Sequence, residues 1–286
     1  MAYRIVTDTC CDFPEKMYEE LKLSVVPLYV TYEGKTMDRF DDKSTKALYD
    51  AMRAGTTAST AAVNPDGWAR AMEPALQAGE DVLVMAFSSG LSTTYQSAVI
   101  ASQDLAEKYP DRKILVIDTL SASLGQGMFV YYACQKRDAG MSLEELADWC
   151  EKNKQNICHW FTVDDLVYLK RGGRISAATA LVGSMLQIKP VLHVDAEGHL
   201  VSVTKARGRK ASLDALVKKL GDMGLPGENE TVFLSHGDCP EDAEYVIRQV
   251  KEKYGVKNVI VGYVGAVIGS HAGPGTVAFF FMGKER

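Results

Sequence analysis

The chain has 286 residues, 47% hydrophobic and 24% charged, enough to bury one large core or two modest ones and too apolar for disorder. Its 32 basic and 37 acidic residues leave a net charge of -5, with no basic excess to displace counterions from nucleic acid. The longest strongly apolar stretch, residues 259–269, falls far short of the roughly 20 residues that cross a bilayer, and residues 1–4 carry no signal-peptide pattern, so a cytoplasmic location is expected.

Residues 4–8 read as a strand, and Pro14 opens a helix carrying Met17, Tyr18 and Leu21 at helical spacing. Residues 25–32 read as one strand whose Pro27 places it at an edge or a bulge. Ser44 is the expected cap of a helix running to residue 52. A polar loop is expected over 55–64, and Pro65 starts the next helix. Residues 82–87 form a continuous apolar run, the pattern of a parallel strand buried on both faces. A helix over 97–108, a strand over 114–118 and helices over 128–137 and 143–156 follow. This β-α-β-α order predicts a parallel sheet with helices on both faces.

The second half reads differently. Residues 192–194 and 200–203 flank Asp195-Ala196-Glu197-Gly198, a hairpin turn. Strands are expected over 232–235, 259–264 and 277–281, separated by helices over 212–220 and 241–254. The predicted fold class is α/β: an N-terminal parallel-sheet α/β domain, residues 1–158, packed on a C-terminal mixed α+β domain, residues 159–286. No Pro/Gly/Ser-rich linker separates them, so tight packing is expected.

Chemistry-bearing residues cluster at turns. Asp8-Thr9 ends the first strand and reads either as a ligand contact at a strand's carboxyl end or as a helix cap. Residues 88–95, Ser-Ser-Gly-Leu-Ser-Thr-Thr-Tyr, sit between a buried strand and a helix. Free backbone N–H groups and the helix dipole there suit a carboxylate or phosphate, although a capped helix explains the hydroxyls equally. The turn is neither a P-loop nor a Gly-x-Ser-x-Gly elbow. Ser59-Thr60 lies in a second hydroxyl-rich loop. Lys170-Arg171-Gly172-Gly173-Arg174 gathers three cations around a tight turn, and residues 205–210 are similarly basic. His271 stands in a Gly/Pro-rich loop where packing explains it less easily, whereas His236 is a weaker candidate. The six cysteines include no C-x-x-C pair and the other histidines lack ligand spacing, so reduced thiols and no metal site are expected.

Taken in order, these segments resemble the DegV family. Residues 4–9, Arg-Ile-Val-Thr-Asp-Thr, are similar to its opening strand. Residues 60–65 resemble its Thr-Ser/Ala-Gln-x-x-Pro loop, and 88–98 its serine loop. Ile117-Asp118-Thr119 with Ser123, Gly125 and Gly127 resembles its next strand exit. Residues 165–175 resemble its Asp-x-Leu-x-Tyr-Leu-x-x-Gly-Gly-Arg-Ile element, and His271-x-Gly273-Pro274-Gly275 completes the series together with Lys189-Pro190, the 195–198 turn and the Arg207 segment. The similarity covers about 270 residues. Ala62 replaces the family's Gln, and Thr93 the Gly after Ser92.

The resemblance implies a protein with no catalytic residue or cofactor of its own. It would hold a long-chain fatty acid such as palmitate in a buried pocket and present it to a separate ATP-dependent fatty acid kinase subunit, which forms the acyl phosphate. The carboxylate would meet Thr60, Ser92 and Ser89, with His271 and Arg174 nearby; Ser59 is the alternative to Thr60. Arg207 would contact the kinase. Neutral donors would satisfy a buried carboxylate without blunting it as a nucleophile. The competing expectation is a serine esterase or thioesterase using Ser89 or Ser92 with His271 and Asp118.

Overall fold

The computed structural model describes residues 2–39, 41–176 and 187–286. Among them the strands form three sheets. In the first, β1 (Tyr3–Asp8) pairs in parallel with β2 (Ser24–Val26) and β6 (Asp81–Ala86), and β6 with β7 (Ile114–Asp118). Every residue of β6 is buried, which is why its sequence shows no alternation. The second sheet is mixed, in the order β10 (Leu200–Arg207), β9 (Ile188–Val194), β8 (Ile157–Thr162), β13 (Val277–Met282), β11 (Thr231–His236), β12 (Asn258–Tyr263). Only β11 and β12 run parallel there. A small antiparallel sheet joins β4 (Lys35–Met37), β3 (Tyr29–Tyr32) and β5 (Ser59–Ala61). The α/β class with a parallel and a mixed sheet is as expected.

Several local expectations need correction. The single strand over 25–32 is two strands in different sheets, because Pro27 has no N–H to continue the β1 ladder and the chain turns away after Val26. The helix Asp42–Arg53 is capped by Asp41, whose Oδ1 accepts from the Ser44 backbone N–H at 2.7 Å. The expected loop over 55–64 contains β5. Helices begin earlier than expected, at Thr94 and Leu124, because hydroxyl and glycine residues at their starts hide the periodicity.

The two large sheets share one core. The helix Leu124–Asp138 buries Leu124, Met128 and Phe129 among Ile5, Leu83 and Met85 of the first sheet and Phe161, Phe233 and Phe280 of the second. Each such side chain contributes roughly 1.5–3 kcal/mol through burial. Gly125 lets this helix lie close to the mixed sheet: a Cβ there would collide with the His159 ring. No described helix is long and apolar enough to cross a membrane.

Arg286 pins the loops that meet between the sheets. Its guanidinium donates to the carbonyls of Lys154 at 2.7 Å, Thr119 at 3.2 Å and Leu120, and to Ser121 Oγ at 3.0 Å. Arg286→Ala leaves several of these acceptors without a donor and should lower stability by about 2–4 kcal/mol. Urea unfolding checks this, with an unchanged midpoint counting against it.

Candidate functional site

A cavity of about 510 Å³ lies where the small sheet, the first sheet's carboxyl-end loops and the mixed sheet meet. Apolar side chains line most of it, among them Leu28, Phe87, Leu169, Phe161 and Phe280. All five residues expected to meet a carboxylate also line it: Thr60, Ser89, Ser92, Arg174 and His271.

Four of them form a connected group. Thr60, in the middle of β5, places Oγ1 2.7 Å from His271 Nε2 on the helix Ala266–Ala272. The His271 ring packs on Gly172, where a Cβ would collide with Nδ1. Arg174 folds back to the Gly172 carbonyl and donates through Nη2 to the Leu91 carbonyl at 3.1 Å, next to Ser92. Ser92 Oγ lies 2.8 Å from Thr94 Oγ1 and accepts the N–H of Thr94, the first residue of the following helix, at 3.2 Å. Ser59, the alternative to Thr60, is exposed and does not line the cavity. Ser89 stands exposed at the start of the turn.

Burial, reinforced by the Arg174 charge, pushes the His271 pKa down to about 4, so the ring is neutral at pH 7. His271 Nδ1 is buried without a partner. A bare lone pair is tolerated there better than an orphaned N–H, which favours the tautomer protonated at Nε2. Nε2–H then donates to Thr60 Oγ1, and the Thr60 hydroxyl proton is free to point into the cavity. Burial also lowers the Arg174 pKa. Its bonds go to carbonyl oxygens.

Other sequence candidates lie elsewhere. Asp8 is a cap, buried and accepting from the backbone N–H groups of Cys10 at 2.9 Å and Phe87 at 2.8 Å, while Thr9 Oγ1 accepts from Leu28. Asp118 Oδ1 accepts from the backbone of Ser89 at 3.2 Å and Leu120 at 3.0 Å. Arg207 is exposed at the end of β10. Asp238, beside His236, binds Arg53 and so ties two helices' ends together. Sequence reasoning missed Ser123 and His159, both buried and both lining the cavity. The available signal was a histidine inside the otherwise apolar stretch 157–161, two residues from Phe161 and so distinguishable as an inward-facing position only once the sheet face is known.

The His271 shift has a measurable consequence. Between pH 6.5 and about 4 the unfolded chain binds a proton at this position that the folded chain refuses, so stability falls as pH falls through that window and levels off below it. His271→Gln should remove this component, worth up to about 3 kcal/mol. Denaturant unfolding of both proteins at pH 7.0 and 4.5 checks it; parallel pH slopes would count against a neutral buried ring.

Comparison with known proteins agrees with this architecture. The family model described as "Uncharacterised protein, DegV family" matches residues 2–284. A DegV domain-containing protein of Clostridium perfringens is 44% identical over 284 residues, covering 99% of this chain and 98% of its own. Among solved structures, a DegV family protein of Thermus thermophilus described by its fatty acid binding is 32% identical with a TM-score of 0.88, over 99% of this chain and 100% of its own. DegV of Bacillus subtilis, a fatty acid binding protein, is 28% identical with a TM-score of 0.83, over 99% and 100%. The whole-length family match, the 44% identity and the shared fold together place this chain in the DegV family.

Proposed function

We propose that this chain binds a long-chain fatty acid in the cavity, its carboxylate at Thr60, Ser92, His271 and Arg174 with Ser89 at the rim. The chain then presents it to a separate ATP-dependent fatty acid kinase subunit. The observation that carries the reading is the largely apolar cavity into whose wall the Thr60 and Ser92 hydroxyls, the neutral His271 imidazole and the Arg174 guanidinium are gathered. Fatty acid binding by the Thermus thermophilus and Bacillus subtilis relatives supports it. A tail of about 14 methylenes offers on the order of 11 kcal/mol of burial before binding costs. The donors supply orientation and offset the carboxylate's desolvation.

The chain does no chemistry alone in this reading. His271 uses Nε2 on Thr60 instead of on a serine, and its Nδ1 meets no carboxylate. The base–nucleophile and base–orienter bonds of a hydrolase are therefore not what these residues make. Catalysis is left to the kinase, docked on a surface that includes the exposed Arg207. The units 1–158 and 159–286 would form the two walls of the site.

Extraction of the purified protein followed by mass spectrometry tests the ligand class directly. A fatty acid should co-purify, and protein that neither carries nor takes up one would overturn the proposal. Thr60→Ala with Ser92→Ala should weaken fatty acid binding by about 2–4 kcal/mol, less than the sum of the single changes, because both serve one carboxylate. Titration of the double and single variants, with circular dichroism as the folding control, checks this. Arg207→Ala should keep its lipid yet fail in the coupled kinase reaction. Loss of lipid with intact docking would remove Arg207 from the partner surface.

A further inference from the structure

The buried carboxylate of Asp12 plays no part in the fatty acid reading, yet it is built in behind the cavity wall. Its Oδ2 accepts from Ser123 Oγ at 2.6 Å, and Ser123 lines the cavity just before the helix Leu124–Asp138. Its Oδ1 lies against Gly265, where a Cβ would collide with it. Gly265 directly follows the lining residue Val264 and is the N-cap of the helix that carries His271. Six residues of helix at about 1.5 Å each put the His271 end on the order of 10 Å from Asp12.

Among the described residues this carboxylate meets no counter-charge. Burial, aided by the like charge of Asp8, pushes its pKa up to about 7, and the opposing influences are two neutral donors, the Ser123 hydroxyl and the Gly265 N–H. The other titratable neighbours stay neutral at pH 7: burial raises the Cys10 and Cys11 thiols, the Tyr18 phenol on the helix Glu15–Glu20 and the Tyr49 phenol on the helix Asp42–Arg53. Asp8 is itself raised to about 6 by burial and accepts from the N–H groups of Cys10 and Phe87. Ser123 Oγ also lies 2.9 Å from Ser235 Oγ. With Asp12 charged, Ser235 donates to Ser123 and Ser123 to Asp12. With Asp12 protonated on Oδ2, both bonds reverse and every heavy atom keeps its place. Both protonation states are therefore housed without rearrangement.

We infer that Asp12 takes up a proton from solvent when the fatty acid anion binds, which relieves the repulsion between the two carboxylates. This rests on the fatty acid reading above and adds a proton to its binding step. A second anion nearby always favours the protonated form of a carboxylate. Two unit charges about 10 Å apart, at an effective dielectric constant near 20, move each other's pKa by about one pH unit. Asp12 is then about half charged at pH 7 in the empty protein and about nine-tenths protonated in the loaded one. Affinity for the anion accordingly rises as pH falls from about 9 to about 6, by up to about tenfold. Arg174 does not alter this dependence, because its guanidinium stays charged throughout the range and is bonded to the Leu91 and Gly172 carbonyls.

The test is titration calorimetry of the lipid-stripped protein with myristate, from pH 6 to pH 9, in pairs of buffers that differ in heat of ionisation and so count the protons taken up. Wild type should take up about half a proton near pH 7.5 and less on either side. Asp12→Asn keeps the shape of the side chain and is neutral at every pH. It should bind myristate about tenfold more tightly than wild type at pH 9, equally at pH 6, and without proton uptake near pH 7.5. Replacing a residue that only held the fold together would instead weaken binding. Uptake that survives in the variant assigns the proton to Asp8, His271 or the ligand and overturns the inference, as does weaker binding by a folded variant at pH 9. Should the variant fail to fold, the wild-type profile decides. A maximum between pH 7 and 8 supports Asp12, whereas uptake that only grows toward pH 6 belongs to His271 or the ligand's own carboxyl and overturns the inference. Myristate that binds with no uptake at all sinks only this inference. Myristate that binds at no pH sinks the fatty acid reading with it.

Discussion

The hydrogen bond between Thr60 Oγ1 and His271 Nε2, 2.7 Å long, holds the candidate site together. It joins the small sheet to the helix Ala266–Ala272, 211 residues later in the chain, and both must be placed from outside themselves. Pairing with β3 places Thr60 opposite Val30. The helix is seated by Tyr49, whose hydroxyl donates to the Val264 carbonyl at 2.6 Å and whose ring edge fits the space left by Gly269. Gly172 then lets the turn before Arg174 close over the His271 ring. A side chain larger than hydrogen at Gly172 or Gly269 would push His271 off Thr60.

A second constraint is dielectric. The groups around the cavity sit away from water, and their protonation shifts toward neutrality. His271 and His159 are held uncharged by burial. Burial pushes Asp12 up to about 7 and Asp8 up to about 6, despite the hydrogen bonds each accepts. Such a wall suits an apolar tail, because few fixed charges hold water inside. It also makes each remaining donor or acceptor count, since an unpaired polar group costs more there than at the surface.

Much of the architecture was legible in the sequence. The fully buried central strand β6 announced itself as a near-continuous apolar run, and Pro65 and the 195–198 turn marked element ends where they occur. The failures share a cause. β5 is three residues long and holds no apolar side chain larger than alanine, so it exists only because β3 pairs with it. Pro27 showed that a ladder must end there, yet not that the chain then enters another sheet.

For the site, the sequence by itself determined the residue types and the turns that carry them: hydroxyls before helices, a histidine among glycines, a cationic Gly-Gly turn. Through the family resemblance it also indicated which of these belong together. Tertiary structure alone decided that Thr60 and not Ser59 faces the cavity, since a strand's side chains alternate and only the pairing with β3 sets which face is inward. It alone decided that Arg174 bonds backbone carbonyls and that Asp118 serves two loops. It alone brought His159 into the lining. Composition and periodicity record whether a residue is buried, whereas the direction of a lone pair inside the fold depends on partners distant in the chain.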